Sequence, residues 1–214
     1  MVILIIFGPS KLGDVGGALG KGWARKGHSV MFGVRDASDP QLTSLLKQAG
    51  ANARSGSVPE AAAFGEVVVF ATPWPATQDA VRSAGNLSGK ILLDCTNPLK
   101  PDLSGLEVGL TTSGGEQVAS WAGGARVVKI FNTTGSNNME NPAYPQGPTT
   151  MFYCGDDASA KKAAAQLGTD LGFEAIDAGG LAIARLLEPY ATLWIHLAIH
   201  QGMGRDFAFR IMRR

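Results

Sequence analysis

The stretch IIFGPSKLGDVGGALGKG, residues 5–22, follows the chain's first apolar run and decides how the fold is read. It comes close to two phosphate-binding loops. Gly8 and Gly13 have the spacing of a P-loop, in which a lysine reaches the terminal phosphates and a hydroxyl sits on magnesium. Here Asp14 and Val15 follow Gly13, so an acid stands in the lysine's place and the metal hydroxyl is missing. The P-loop reading fails. The dinucleotide loop asks for Gly-x-Gly-x-x-Gly between a strand and a helix. Gly13 and Gly16 supply its last two glycines, and Gly17 and Ala18 keep the helix start close to the sheet. Lys11 stands at the first glycine, so a turn longer by three residues, opened by Gly8, is expected. Gly8, Pro9, Ser10, Lys11, Leu12, Gly13, Val15 and Gly16 are therefore the candidate diphosphate cradle, with the N–H groups of the helix start facing phosphate. Asp14 is unfavourable there, and Lys11 is the charge that could offset it.

Outward from this loop, short β-branched runs alternate with helical stretches. Strands are expected at 2–7, 29–33, within 53–65, at 67–71, 91–95 and 127–131, and helices at 16–26, 42–49 and 114–122. Residues 77–84, and 53–65 beyond its short strand, read as connectors. The run VVVFA (67–71) is continuously apolar, as suits a strand covered on both faces. Such a βαβ series predicts an α/β fold with a doubly wound, mainly parallel, Rossmann-like sheet as a dinucleotide-binding domain over 1–135. Residues 136–214 repeat the rhythm once, as a small C-terminal α/β extension. Its strands are expected at 149–154 and 173–177, and a helix at 158–171 opened by Asp156 and Asp157. A second helix runs from Leu181 to about Gln201, with Pro189 as a kink or boundary. The segment NNMENPAYPQGP (137–148) reads as a mobile loop.

Composition narrows the function. Nineteen basic against eighteen acidic residues give a charge of +1, which implies no broad field for nucleic acid or membrane. The apolar start, MVILIIF, is short and lacks a basic lead, so neither a signal peptide nor a span is expected. Cys95 and Cys154 fall in apolar runs and read as buried thiols of a reducing, cytoplasmic compartment.

In a doubly wound sheet the ligand lies beyond the carboxyl ends of the strands. After the second strand the chain reads SVMFGVRD, with Gly33 and Val34 where an NAD site places an acid, and Arg35 next. Arg35 suits a 2′-phosphate, and NADP(H) is expected over NAD(H). The competing reading is a solvated arginine paired with Asp36. The other strand ends, ATPWPAT, CTNPLKPD and KIFNTTGSNN, offer Thr72, Pro73, Trp74, Asn97, Pro98, Asn132 and Thr133. Trp74 suits either an apolar wall beside a ring or an anchor for its turn. Asn97, Asn132 and Thr133 can bond ribose or carboxamide, and Pro73 and Pro98 shape their turns.

These ends hold almost no carboxylate or histidine. Reduction of a carbonyl moves a proton as well as a hydride and needs a tyrosine, lysine or histidine at the reacting oxygen. His28 precedes the second strand, on the wrong side of the sheet. His196 and His200 sit on a C-terminal helix with i, i+4 spacing, but lack the glutamate and third ligand of a zinc motif. No metal site and no catalytic acid or base are expected. Hydride transfer between two stacked rings makes no such demand.

The motifs GVR (33–35), ATPWP (71–75), TNP (96–98), VVKIFNT (127–133), CGDD (154–157), DAG (177–179), ARLLEP (184–189) and GMGRDFAFR (202–210) span nearly the whole chain. In them the sequence resembles the coenzyme F420-dependent NADP oxidoreductases, and more closely their bacterial NADPH-dependent F420 reductases. The resemblance implies reversible hydride transfer between NADP(H) and the deazaflavin ring of F420, in a homodimer. It puts Gly16 at the diphosphate and Arg35 at the 2′-phosphate, with Pro73, Trp74, Asn97 and Pro98 beside the nicotinamide. The FNT strand end and residues 202–207 would face the deazaflavin. Lys129, Arg126, Arg185 and Arg205 are candidates to meet its anionic tail. The chain departs from the pattern at the longer first turn, at Val34 in place of a serine or threonine, and at Gly180-Leu181 in place of a proline. Membrane ferric reductases carry a related domain with a similar strand end. A flavin (FMN or FAD) or another small redox acceptor therefore stays open, as does an NADP-binding redox sensor without turnover. Trp194 is expected in core or dimer packing, with Tyr190 as a polar handle beside it.

Overall fold

A central strand, β1 (Val2–Phe7), pairs in parallel with β2 (Ser29–Val34) on one side and β4 (Val67–Ala71) on the other. The computed structural model describes residues 1–7 and 14–214, apart from the side chains of residues 4–7 and 14. Beyond β2 lies β3 (Ala53–Ser57), and beyond β4 lie β5 (Ile91–Asp94) and β6 (Arg126–Lys129), all parallel. Alternation along these strands sorts the core into two layers. Val67, Val69, Leu93 and Val128 share one layer with α1 (Asp14–Arg25), α2 (Pro40–Ala49) and a later helix, Ala158–Asp170. Val68, Phe70, Leu92 and Val127 meet α3 (Val58–Phe64), α4 (Trp74–Ser83) and α5 (Gly114–Trp121).

The helix starts follow from local chemistry. Asp39 accepts from Gln41 N–H at 2.8 Å ahead of Pro40. Ser57 and Glu60 form a reciprocal capping box. Ser113 accepts from Glu116 N–H at 3.1 Å. The sequence readings of a connector after β3 and of one at 77–84 are corrected: Val58–Phe64 forms α3, and residues 77–84 lie mostly within α4. Its buried stripe, Thr77, Ala80 and Val81, is too small and polar to stand out as an amphipathic signal.

After β6 come α6 (Ser136–Glu140) and a short antiparallel hairpin, β7 (Ala143–Tyr144) with β8 (Gly147–Pro148). The segment read as a loop is thus a structured one. Asn138 donates to Thr134 Oγ1 and to the Phe207 carbonyl, both at 2.8 Å, and accepts from Tyr144 Oη at 2.7 Å. The C-terminal part then continues the same sheet. Strand β9 (Thr150–Gly155) pairs antiparallel with β6, and β10 (Glu174–Asp177) pairs parallel with β9 across α7 (Ala158–Asp170). The order is β10-β9-β6-β5-β4-β1-β2-β3. This is the expected Rossmann-like α/β sheet with its C-terminal extension. Trp23 of α1, fully buried, donates to the Leu167 carbonyl of α7 at 3.0 Å and ties the two parts together.

Helix α8 (Ala184–Ile195) passes through Pro189 without ending and runs on into a π-turn at His196–His200. The last residues fold back over it as an irregular strap. Trp194 stacks on Phe207 with centroids 5.3 Å apart, and Tyr190 meets Phe209 at 4.8 Å. Trp194 is therefore enclosed by its own chain. Tyr190 packs there too, and burial pushes its hydroxyl up to about 12. Among the described residues no helix is long and apolar enough to cross a membrane.

Candidate functional site

The strand order reverses between β1 and β4, where crossovers leave on opposite faces of the sheet. A crevice opens there beyond the strands' carboxyl ends. It continues as a cleft of about 550 Å³ over β4, β5 and β6. One wall is Ala71–Thr72–Pro73–Trp74–Pro75, where α4 begins; the floor is Cys95–Thr96–Asn97 after β5; the far side is Thr134–Gly135–Ser136. Leu99, Lys100, Pro101 and Leu103 close the outer rim, and Val15 and Arg205 border the mouth. A second, polar groove of about 450 Å³ runs over α1 between α2 and α6, and shares Ser136 and Arg205 with the cleft.

Several sequence candidates meet in this cleft. Thr72 is buried and its hydroxyl bonds that of Thr77 at 2.9 Å, locking the start of α4. Trp74 serves in both of its suggested roles: it lines the cleft, and it packs on Trp121 with centroids 5.4 Å apart. Asn97 and Asn132 cross-link the ends of β5 and β6. Asn97 Nδ2 donates to the Asn132 carbonyl at 2.8 Å, and Asn132 Nδ2 donates to Asn97 Oδ1 at 3.0 Å and to the Leu187 carbonyl at 3.2 Å. Asn132 Oδ1 is buried without a donor among the described residues. Phe131 just before it holds φ 61°, a left-handed conformation that costs a non-glycine residue roughly 1–3 kcal/mol. Packing against Trp23 and Phe173 holds it there.

Other candidates lie apart. Thr133 turns inward, its hydroxyl 3.8 Å from Met151 Sδ, and Thr134 takes the cleft position instead. Pro98 sits behind the wall, against the start of α5. Arg35 is exposed just past β2, outside the cleft lining. The carboxylate of Asp36 is taken up by the Ser38 N–H and hydroxyl at 2.8 and 2.6 Å, and among the described residues no ion pair reaches Arg35. Val15 and the buried Gly16 lie in the first turn of α1, whose N-terminus faces the crevice. Gly8, Pro9, Ser10, Lys11, Leu12 and Gly13 lie outside the described residues.

Of the four cations considered for an anionic acceptor tail, Arg205 alone borders the cleft, donating to Ser136 Oγ at 2.9 Å. Arg126 is bound to the Gly89 carbonyl at the opposite end of β6. Arg185 makes a two-point pair with Glu116 at 2.9 and 2.6 Å. Lys129 is the feature that sequence reasoning missed. It is fully buried, with Nζ 2.9 Å from Asp94 Oδ2, 2.8 Å from Glu188 Oε1, and bonded to the Thr96 carbonyl. Glu188 accepts from the Gly114 and Gly115 N–H groups at the start of α5, each at 2.9 Å. Asp94 Oδ1 accepts from the Thr96 N–H at 3.0 Å and hydroxyl at 2.7 Å. Burial pulls the Lys129 pKa down, but the two carboxylates outweigh it and hold the amine charged. A signal was present: a lysine inside an apolar strand, in register with Asp94 on the neighbouring one.

The cleft lining among the described residues holds hydroxyls, amides, one indole and two cations, and no carboxylate, histidine or tyrosine. Burial, with Asp94 alongside, pushes the Cys95 thiol well up, so it stays neutral. His28 pairs with Asp170 at 2.9 Å at the far end of the sheet. His196 and His200 face each other at the surface with centroids 5.6 Å apart. No group of three metal-ligating side chains occurs among the described residues. This donor set, at a switch point and a helix N-terminus, fits a phosphate-bearing dinucleotide; among the described lining residues Lys100, on the outer rim, is the one side chain of a type that carries the proton in carbonyl reduction.

The family described as NADP oxidoreductase, coenzyme F420-dependent, matches residues 6–98. An F420-dependent NADP reductase of Methanothermobacter thermautotrophicus is 29% identical over 212 residues, 93% of this chain and 90% of that protein. A solved structure from Arthrobacter sp. FB24, provisionally named an F420-dependent NADP reductase, is 32% identical, with a TM-score of 0.85 over 98% of this chain and 99% of that one. The metalloreductase STEAP3 of Rattus norvegicus is 29% identical over 82% of this chain but only 34% of its own length. Together with the fold and the cleft, this full-length likeness places the chain in the family of coenzyme F420-dependent NADP oxidoreductases.

Proposed function

We propose that the protein transfers hydride between NADP(H) and the deazaflavin ring of coenzyme F420. The observation that carries this reading is the cleft itself: an indole wall over a floor of thiol, hydroxyl and amide groups, wide enough for a ring and lined, among the described residues, by no carboxylate, histidine or tyrosine. NADP supplies the hydride, or accepts it, when bound. The α1 N-terminus and Gly16 hold its diphosphate, and Arg35 its 2′-phosphate. Thr72, Pro73, Trp74, Asn97 and Pro98 shape the nicotinamide side. Asn132 and Thr133 fix the strand end behind it, and Asn132 Oδ1, without a donor among the described residues, is an acceptor for a carboxamide N–H. Lys100 on the rim is a cation suited to an anionic acceptor. Leu186 and Leu193, 65% and 49% exposed on α8, support assembly with a second copy.

The likeness to a metalloreductase supports a second reading, in which FMN, FAD or a metal chelate is the acceptor. Anaerobic stopped-flow oxidation of NADPH, run with F420, FMN and FAD and with NADH as control, separates them. Fast bleaching of F420 by NADPH and not by NADH is expected, and Arg35→Ser should cut the preference for NADPH about tenfold or more, a cationic contact to phosphate being lost. Turnover with flavins alone contradicts the F420 reading. Tight NADPH binding with no acceptor reduced makes the protein a sensor.

A further inference from the structure

Three charged side chains, Asp94, Lys129 and Glu188, lie fully buried beneath the cleft, and the hydride-transfer reading above gives them no part. Their ionisation follows from their partners. Every group bonded to either carboxylate is a donor: the Thr96 N–H and hydroxyl and Lys129 on Asp94; the Gly114 and Gly115 N–H groups and Lys129 on Glu188. Glu188 faces only N–H donors, none of which can accept a proton from it, and Asp94 faces the Lys129 ammonium and the Thr96 N–H besides a hydroxyl that can serve either way. Two carboxylates against one ammonium leave a net charge of −1. The N–H groups of α5 satisfy Glu188, but their partial charge of roughly half a unit does not cancel it.

The cluster sits directly behind the cleft. Asp94 is the last residue of β5, and Cys95, Thr96 and Asn97, the next three, form the floor. Glu188 backs the Trp74 wall: a Cβ built on Gly114 would lie 3.1 Å from both Glu188 Oε1 and Trp74 Cζ3. In a doubly wound sheet the first strands take the adenosine half of a dinucleotide, so β4–β6 take the nicotinamide half. That ring carries a positive charge when oxidised and none when reduced.

We propose that the Asp94–Lys129–Glu188 cluster acts through its field as a redox-state selector, holding NADP+ more tightly relative to NADPH than a neutral wall would. The inference rests on NADP(H) occupying the cleft. None of the three residues lines the cleft; they bias the bound couple through the low-dielectric wall, where a unit charge is poorly screened.

The test is equilibrium binding of NADP+ and of NADPH, each titrated separately into wild type, Glu188→Gln and Asp94→Asn. Each substitution removes one negative charge from a different side of the lysine, so loss of a local contact in one is not repeated in the other. The ratio Kd(NADP+)/Kd(NADPH) should rise about three- to tenfold in both variants, the scale of a unit charge acting at ~10 Å through a partly polar medium. A ratio unchanged within twofold, or equal weakening of both nucleotides, overturns the inference and leaves a structural role. Wild type that binds neither nucleotide overturns the proposed function, and this inference with it.

Discussion

Lys129 shows how much one side chain can organise. Its amine joins β5, β6 and α8 through Asp94, Glu188 and the Thr96 carbonyl, and none of the three charged groups has any exposed surface. Removing one partner of such a cluster leaves the others charged in a medium that cannot solvate them. Lys129→Met should therefore lower unfolding stability by ~3–5 kcal/mol, seen as an earlier denaturant midpoint with unchanged slope. A loss below ~1 kcal/mol would mean that water enters and relaxes the site. The sequence offered Lys129 as a surface contact for an anionic tail because charge says nothing of direction. Its place in VVKIF was the clue, since a strand flanked on both sides buries both faces.

At the scale of elements, α5 and α8 are held against each other by Glu188 at one level and by Arg185–Glu116 at another. The Arg185 guanidinium beside Glu116 holds its carboxyl below the usual range, partly opposed by burial, with Ser113 also donating. A group with a lowered folded pKa contributes stability that is full above its unfolded value. That stability is lost as pH falls through the folded one. Thermal melts of wild type should thus fall on going from about pH 5 toward pH 3, the ordinary carboxylate range. Arg185→Met should be less stable at pH 6 and lose less over that interval. Equal slopes in the two proteins would show that the pair is solvated and inert. Most strands of the main sheet were legible from β-branched runs, and α1 from its small residues. Helix α4 was not, because its buried face is threonine, alanine and one valine. The segment 137–148 was misread for another reason: the partners that order Asn138 include Phe207, some seventy residues later, and no local pattern records them.

For the whole molecule, the βαβ rhythm was enough to give a doubly wound sheet, and the ends of its strands were enough to locate the cleft. The antiparallel junction of β9 with β6 was not legible, since pairing direction leaves no mark in composition. Nor was the strap of residues 201–214, which covers α8 and brings Arg205 to the cleft mouth. Among the site residues, Trp74 and Asn97 reach the cleft as their strand ends imply, whereas Thr133 points inward because Phe131 turns the chain through a left-handed conformation. The central claim is that two rings exchange hydride directly in the cleft. It is tested by a single turnover of the protein with F420 and NADPH deuterated at the nicotinamide C4 face that reacts, followed by mass analysis of the reduced acceptor. Deuterium retained on the deazaflavin carbon, with a primary isotope effect on the bleaching rate, is the predicted result. Label lost to solvent, or no label transferred, would contradict the account.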